Sequence, residues 1–126
     1  MKENKISVKI AKPISEVFDF TINPNNTPKW IDFIVEEIAT IPIQIGTSYV
    51  NTSVKGEKNE YIVSAFETNH IFELKSVTSD LIVRYTYTEI SPDETELEYF
   101  EWVEEGELSA PFSQHELNKL KQVMEK

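Results

Sequence analysis

The sequence predicts an α+β domain with seven antiparallel strands, two short helices between the first and second strands, and one helix at the C-terminus. Three observations predict it. Apolar and polar residues alternate along most of the chain, the period of half-buried strands. Turn-forming residues interrupt that alternation at short intervals. Apolar residues recur at helical spacing in only two places, near residues 14–21 and over residues 117–124.

Each element follows in order. Ile6, Val8 and Ile10 alternate with Ser7 and Lys9, which places a strand at 3–11. Pro13 suits the first turn of a helix, and Ile14, Val17, Phe18 and Thr21 then share one face. Asn23-Pro24 ends that helix, because the residue before a proline is pushed out of the helical region. The stretch TINPNNTPKW leaves room for one more turn over Pro24 to Lys29 and ends on a large aromatic, Trp30. Strands follow at 32–41, 47–55, 59–67, 71–77, 81–90 and 95–104. They are parted by Pro42 to Gly46, Lys55-Gly56, Asn69-His70, Ser79-Asp80 and Ser91-Pro92-Asp93. Connections this short imply antiparallel pairing. Ser113-Gln114-His115-Glu116 has the form of a capping box, and Leu117, Leu120, Val123 and Met124 form one apolar stripe behind it. This last helix is confined between Pro111 and Lys126.

The strand phases can be read as well. In 95–104, placing Glu96 and Glu98 inside would bury two unpaired charges, so Thr95, Leu97, Tyr99, Glu101 and Val103 face inward. In 81–90 the matching set is Leu81, Val83, Tyr85, Tyr87 and, at the strand end, Glu89. Tyr85, Tyr87 and Tyr99 then point toward the helices together with Phe18 and Leu120, either as core filling or as the wall of a pocket. Glu101 is the acid this phasing sends inward, as a proton shuttle or as a carboxylate held by water or a hydroxyl. Phe100 and Trp102 point outward, with Arg84, the only arginine, opposite one of them. That arrangement suits a cation–π pair, and it suits a homodimer contact through Arg84, Phe100 and Trp102.

The totals exclude several classes. The chain has 126 residues, the size of a single domain over 1–126, and a net charge of -10. That charge opposes nucleic acid and anionic membrane surfaces as partners. With no cysteine there is no disulfide, thiolate metal site or cysteine nucleophile. His70 and His115 have no metal-site spacing, and no phosphate-cradling glycine loop or G-x-S-x-G is present. No metal, cofactor or catalytic set is expected. No segment has the length and apolarity of a membrane span, so the expected location is cytoplasmic.

This order of elements, with AKPISEVFDF after the first strand, Pro28-Lys29-Trp30, Gly46-Thr47 opening the third strand and LNKLKQVME at the end, resembles the START-like helix-grip superfamily. That group includes polyketide cyclases, lipid-transfer domains and pollen-allergen-like proteins. The resemblance implies a curved sheet wrapped around the C-terminal helix with an apolar ligand between them. It also implies a position for Trp30 near the pocket entrance; the alternative is a Trp30 that plugs the seam between helix and sheet. The implied ligand-binding set is Phe18, Trp30, Tyr85, Tyr87, Tyr99, Glu101 and Leu120. The terminal helix is shorter than the superfamily's usual one, which leaves the cavity smaller, open at one end, or closed by a second subunit. Three functions follow: binding or transport of a small hydrophobic molecule, a polyketide cyclase/dehydratase-like enzyme, or a protein-interaction domain of the co-chaperone type.

Overall fold

A computed structural model describes residues 1–108 and 111–126. Strand β1 (Lys2–Ile10) leads into helix α1 (Ile14–Ile22), a 3-10 turn at Pro24–Asn26 and helix α2 (Thr27–Trp30). Strands β2 (Ile34–Ala39), β3 (Ser48–Ser53), β4 (Lys58–Glu67), β5 (Ile71–Ser76), β6 (Ile82–Ser91) and β7 (Glu94–Val103) follow, and helix α3 (Gln114–Met124) ends the chain. The seven strands form one antiparallel sheet in the order β1-β7-β6-β5-β4-β3-β2. The sheet curls into a half-barrel, and the helices occupy its concave side. This is the α+β helix-grip architecture that the sequence leads one to expect.

Local chemistry explains the turns. Asn23 accepts from the Asn25 backbone N–H at 3.0 Å, which closes the bend after α1. Gly56, at φ +82°, occupies the left-handed region that the β3–β4 hairpin requires. Asn69 does the same between β4 and β5 at φ 64°, a conformation asparagine tolerates better than most residues. Ahead of α3 the capping box is formed: the Ser113 N–H donates to the Glu116 carboxylate at 3.1 Å, and the Ser113 hydroxyl lies 2.6 Å from the same oxygen. Ser113→Ala is expected to lower stability by about 1 kcal/mol. Urea midpoints would show it, and an unchanged midpoint would mean that this end of the helix is held by other contacts.

The strand phases match the reading from charge burial except at Glu89, which is exposed at the end of β6, where the register shifts between Glu89 and Ser91. Thr95, Leu97, Tyr99, Glu101 and Val103 are all buried on β7, and Val83, Tyr85 and Tyr87 on β6. On the convex face, a belt of side chains runs across five strands. Ser64 of β4 donates to Glu73 of β5 at 2.8 Å, and Glu73 pairs with Arg84 of β6 at 2.5 Å. The Arg84 guanidinium lies 5.6 Å over the Trp102 ring of β7, Trp102 stacks on Phe100 at 4.8 Å, and Lys5 of β1 lies 5.0 Å over Phe100. Arg84 sits across from Phe100 in the strand register and reaches the Trp102 face. Both outward aromatics are half-buried by neighbours within the chain.

Helix α3 packs over β1 and α2, with Leu117 and Leu120 fully buried beneath it. Asp32, between α2 and β2, pairs with Lys119 and lies 3.3 Å from His115, which ties the helix to the far edge of the opening. At about 1.5 Å per residue, an 11-residue helix is roughly 16 Å long.

Candidate functional site

A cavity of about 350 Å³ lies between the sheet, α2 and the segment ahead of α3, and no residue of α3 itself lines it. Its rim is made of the ends of strands and of connections: Phe33, Asn59, Thr78, Ser79, Glu107 and Leu108. All but Leu108 are exposed. Two of these rim segments are tied together, because the Asp80 carboxylate accepts from the backbone N–H groups of Glu105 and Gly106 at 2.8 and 3.1 Å. Those two bonds hold the Asp80 carboxyl below its ordinary range. A side chain at position 106 would bring its Cβ within 2.6 Å of the Asp80 carboxylate, so glycine allows the tie.

The wall below the rim is largely apolar and aromatic, with Ile31, Ile34, Phe72, Leu74, Val83 and Phe112 alongside Trp30, Tyr61, Tyr85 and Tyr99. Tyr99 stacks flat on Phe112 at 4.3 Å and meets Tyr85 edge-on at 5.3 Å. Burial pushes the Tyr85 and Tyr99 hydroxyls well above their ordinary pKa, so both stay protonated throughout the physiological range.

Besides Thr21, Ser76, Thr78 and Ser79, polar side chains enter the wall around two carboxylates. Glu101 is only 3 % exposed and is enclosed by donors. The Asn4 amide and the Phe112 backbone N–H each donate to it at 2.8 Å, and the Tyr99 hydroxyl lies 3.3 Å away. The carboxylate therefore joins β1, β7 and the segment ahead of α3, an arrangement that explains its burial without a proton-shuttle role. Across the cavity, Glu37 of β2 accepts from the Thr27 hydroxyl at 2.5 Å, and more weakly from the Asn51 amide at 3.5 Å. Asn59 continues the row, donating to Asn51 at 3.4 Å. Strand pairing sets this row, since Glu37 lies opposite Asn51 and Asn51 opposite Asn59. Burial raises the Glu37 carboxyl above its ordinary pKa, against the hydrogen bonds from Thr27 and Asn51.

The structure divides the expected site residues into two groups. Trp30, Tyr85, Tyr99 and Glu101 lie on the cavity wall. Phe18, Tyr87 and Leu120 are core residues away from it. Helix α1 lies over β6 and fills the far end of the half-barrel. There Phe18 packs edge-on against Tyr87 at 5.0 Å, and the Tyr87 hydroxyl bonds to Thr21 at 2.6 Å. Leu120 lies under α3. Trp30 is not at the entrance. It is 1 % exposed, wedged edge-on between Tyr85 at 6.4 Å and Phe112 at 6.0 Å, and thus part of the inner wall. Its indole N–H is a buried donor with no hydrogen-bond partner among the described residues. Glu37, Asn51, Asn59 and Tyr61 are wall residues that the sequence reading misses. Asn51 and Asn59 share the parity of Tyr49 and Tyr61 on their strands, which is the signal that would have found them. Among the described residues, no group of histidine and acidic side chains is arranged to hold a metal ion, and no helix is long and apolar enough to cross a membrane.

No family model matches the sequence, and no curated protein matches it. Solved structures do resemble the fold. The Aha1 dimer from Colwellia psychrerythraea aligns over 99% of this chain and 97% of its own, with a TM-score of 0.73 at 11% identity. DynU16, from the dynemicin biosynthetic locus, gives 0.73 at 16% identity over 98% of this chain and 47% of its own. Norcoclaurine synthase from Thalictrum flavum, in complex with dopamine and hydroxybenzaldehyde, gives 0.60 at 10% identity over 79% of this chain and 67% of its own. At these identities the likeness is one of fold, and it is the likeness of a helix-grip domain.

Proposed function

We propose that the protein binds a small, mainly apolar molecule in the cavity between the sheet, α2 and the segment ahead of α3. The observation that carries this reading is the cavity itself: about 350 Å³, lined by aromatic and aliphatic side chains interleaved with threonine, serine, asparagine and glutamate side chains. Small-molecule sites have that size and make-up. The complex of norcoclaurine synthase with two small aromatic molecules, on a similar fold, supports the same reading. A binding or carrier role of the START-like kind is supported by the donors that already hold Glu101 and by the Tyr85 and Tyr99 hydroxyls, which burial keeps protonated.

A neutral apolar fluorescent probe is expected to bind with micromolar affinity, about -8 kcal/mol. Leu74 lies on the wall at the middle of β5, and Leu74→Trp is expected to fill the space and abolish the binding. Glu96→Ala, on the convex face of β7, serves as the control and leaves it unchanged. Circular dichroism confirms that both variants are folded. Equal affinity in wild type and a folded Leu74→Trp would place the probe elsewhere and remove the cavity reading.

A further inference from the structure

The signs of the charges around the cavity narrow what it can take. Three carboxylates line it, those of Glu37, Glu101 and Glu107, and no Lys, Arg or His does among the described residues. The chain as a whole carries a net charge of -10. An anionic headgroup such as a fatty-acid carboxylate would meet no cationic side chain on the wall; Glu107 at the rim already has Lys2 as its partner, so Glu37 is the carboxylate left to set the preference. Glu101 has its donors already. Glu37 does not have its full set: one oxygen has the Thr27 hydroxyl, and the other has only the distant Asn51 amide. Tyr61 and Tyr85, on the same wall, are close enough to Glu37 for its charge to raise their own pKa values. A half-buried carboxylate with spare acceptor capacity, on a wall that also carries Tyr61 and Tyr85, is the chemistry that receives an ammonium group.

The Trp30 indole N–H has no hydrogen-bond partner among the described residues and no surface open to the cavity, so it belongs to the packing of the wall against Tyr85 and Phe112 and not to the polar end of the site.

Resting on the cavity reading above, we infer that the bound molecule is an apolar cation: a hydrocarbon or ring body that bears a protonated amine, which pairs with the Glu37 carboxylate. The acid row Glu37, Asn51 and Asn59 is then the polar end of the site, and the Trp30, Tyr85 and Phe72 side is the apolar end.

The test uses three molecules that differ only in headgroup: octylamine, 1-octanol and octanoate, each displacing the fluorescent probe from the intact protein. The amine is expected to bind about tenfold more tightly than the alcohol, and the acid more weakly than both. In Glu37→Gln the amine-to-alcohol ratio is expected to fall to about one. A wild type that ranks octanoate level with or above octylamine overturns the inference, and that ranking needs no variant to fold. A folded Glu37→Gln that keeps the full amine preference overturns it as well. Octanol binding that Leu74→Trp removes, with no preference for the amine, would leave the cavity reading standing and this inference alone refuted. Failure of all three molecules to displace the probe would refute both.

Discussion

Glu101→Ala is expected to destabilise the protein by about 3 kcal/mol and to loosen the approach to α3. Two donors at 2.8 Å and a hydroxyl at 3.3 Å converge on this carboxylate. Hydrogen bonds to a charged group contribute about 1.5–3 kcal/mol each, and their loss leaves buried donors unpaired. The offset is the removal of a buried charge, so the net effect is smaller than the sum of the bonds. Asn4 retains its second bond, to the Phe112 carbonyl at 2.8 Å, which softens the loss on the β1 side. The Phe112 N–H has no such alternative. Glu101→Gln keeps one oxygen for the two shorter bonds and is expected to lose only about 1 kcal/mol. Denaturant midpoints for both variants check this, with amide exchange at Phe112 as the local readout. If Glu101→Ala were as stable as wild type, the carboxylate would be an incidental neighbour of these groups, and a role facing the cavity would return to consideration.

Trp30→Ala is expected to lower stability further, by about 4 kcal/mol, as large-to-small changes at buried tryptophans do. The ring bridges Tyr85 and Phe112, so its loss joins the cavity to the space beneath α3. Trp30→Phe separates size from polarity. It removes the unpaired N–H along with part of the ring, and its effect on the empty protein is expected to be under half that of alanine. Thermal unfolding of the two variants measures this. Equal losses from Phe and Ala would show that the N–H carries no penalty in the empty protein.

Much of this fold was legible because the charges decide the phase. On β7 every second residue is Glu or an outward aromatic, and only one assignment of faces avoids burying Glu96 and Glu98. The capping box and the turns were legible for a similar reason, since each rests on chemistry within a few residues. The polar end of the cavity was not. A bulge between Ile34 and Glu36 shifts β2 by one residue. Glu37 is thereby turned inward, and Val35 and Ile38 are turned to solvent, the reverse of what hydropathy suggests for an edge strand. No pattern inside β2 signals that shift; it follows from the neighbours Asn51 and Thr27, which meet only in the folded chain. The split of the aromatic set was also beyond the sequence. Tyr85 and Tyr87 share a face, and only the position of α1 decides that one lines a cavity while the other is sealed in the core.

The belt on the convex face has a consequence for how this protein can change. From Ser64 through Glu73, Arg84, Trp102 and Phe100 to Lys5, it fastens five neighbouring strands from outside without involving one residue of the cavity wall. The framework and the recognition surface are thus held by separate sets of side chains on opposite faces of one sheet. Substitutions at Leu74, Val83 or Asn59 can remodel what is recognised while the curvature that defines the chamber is maintained from behind. A scaffold divided in this way tolerates drift in specificity, and it invites deliberate redesign.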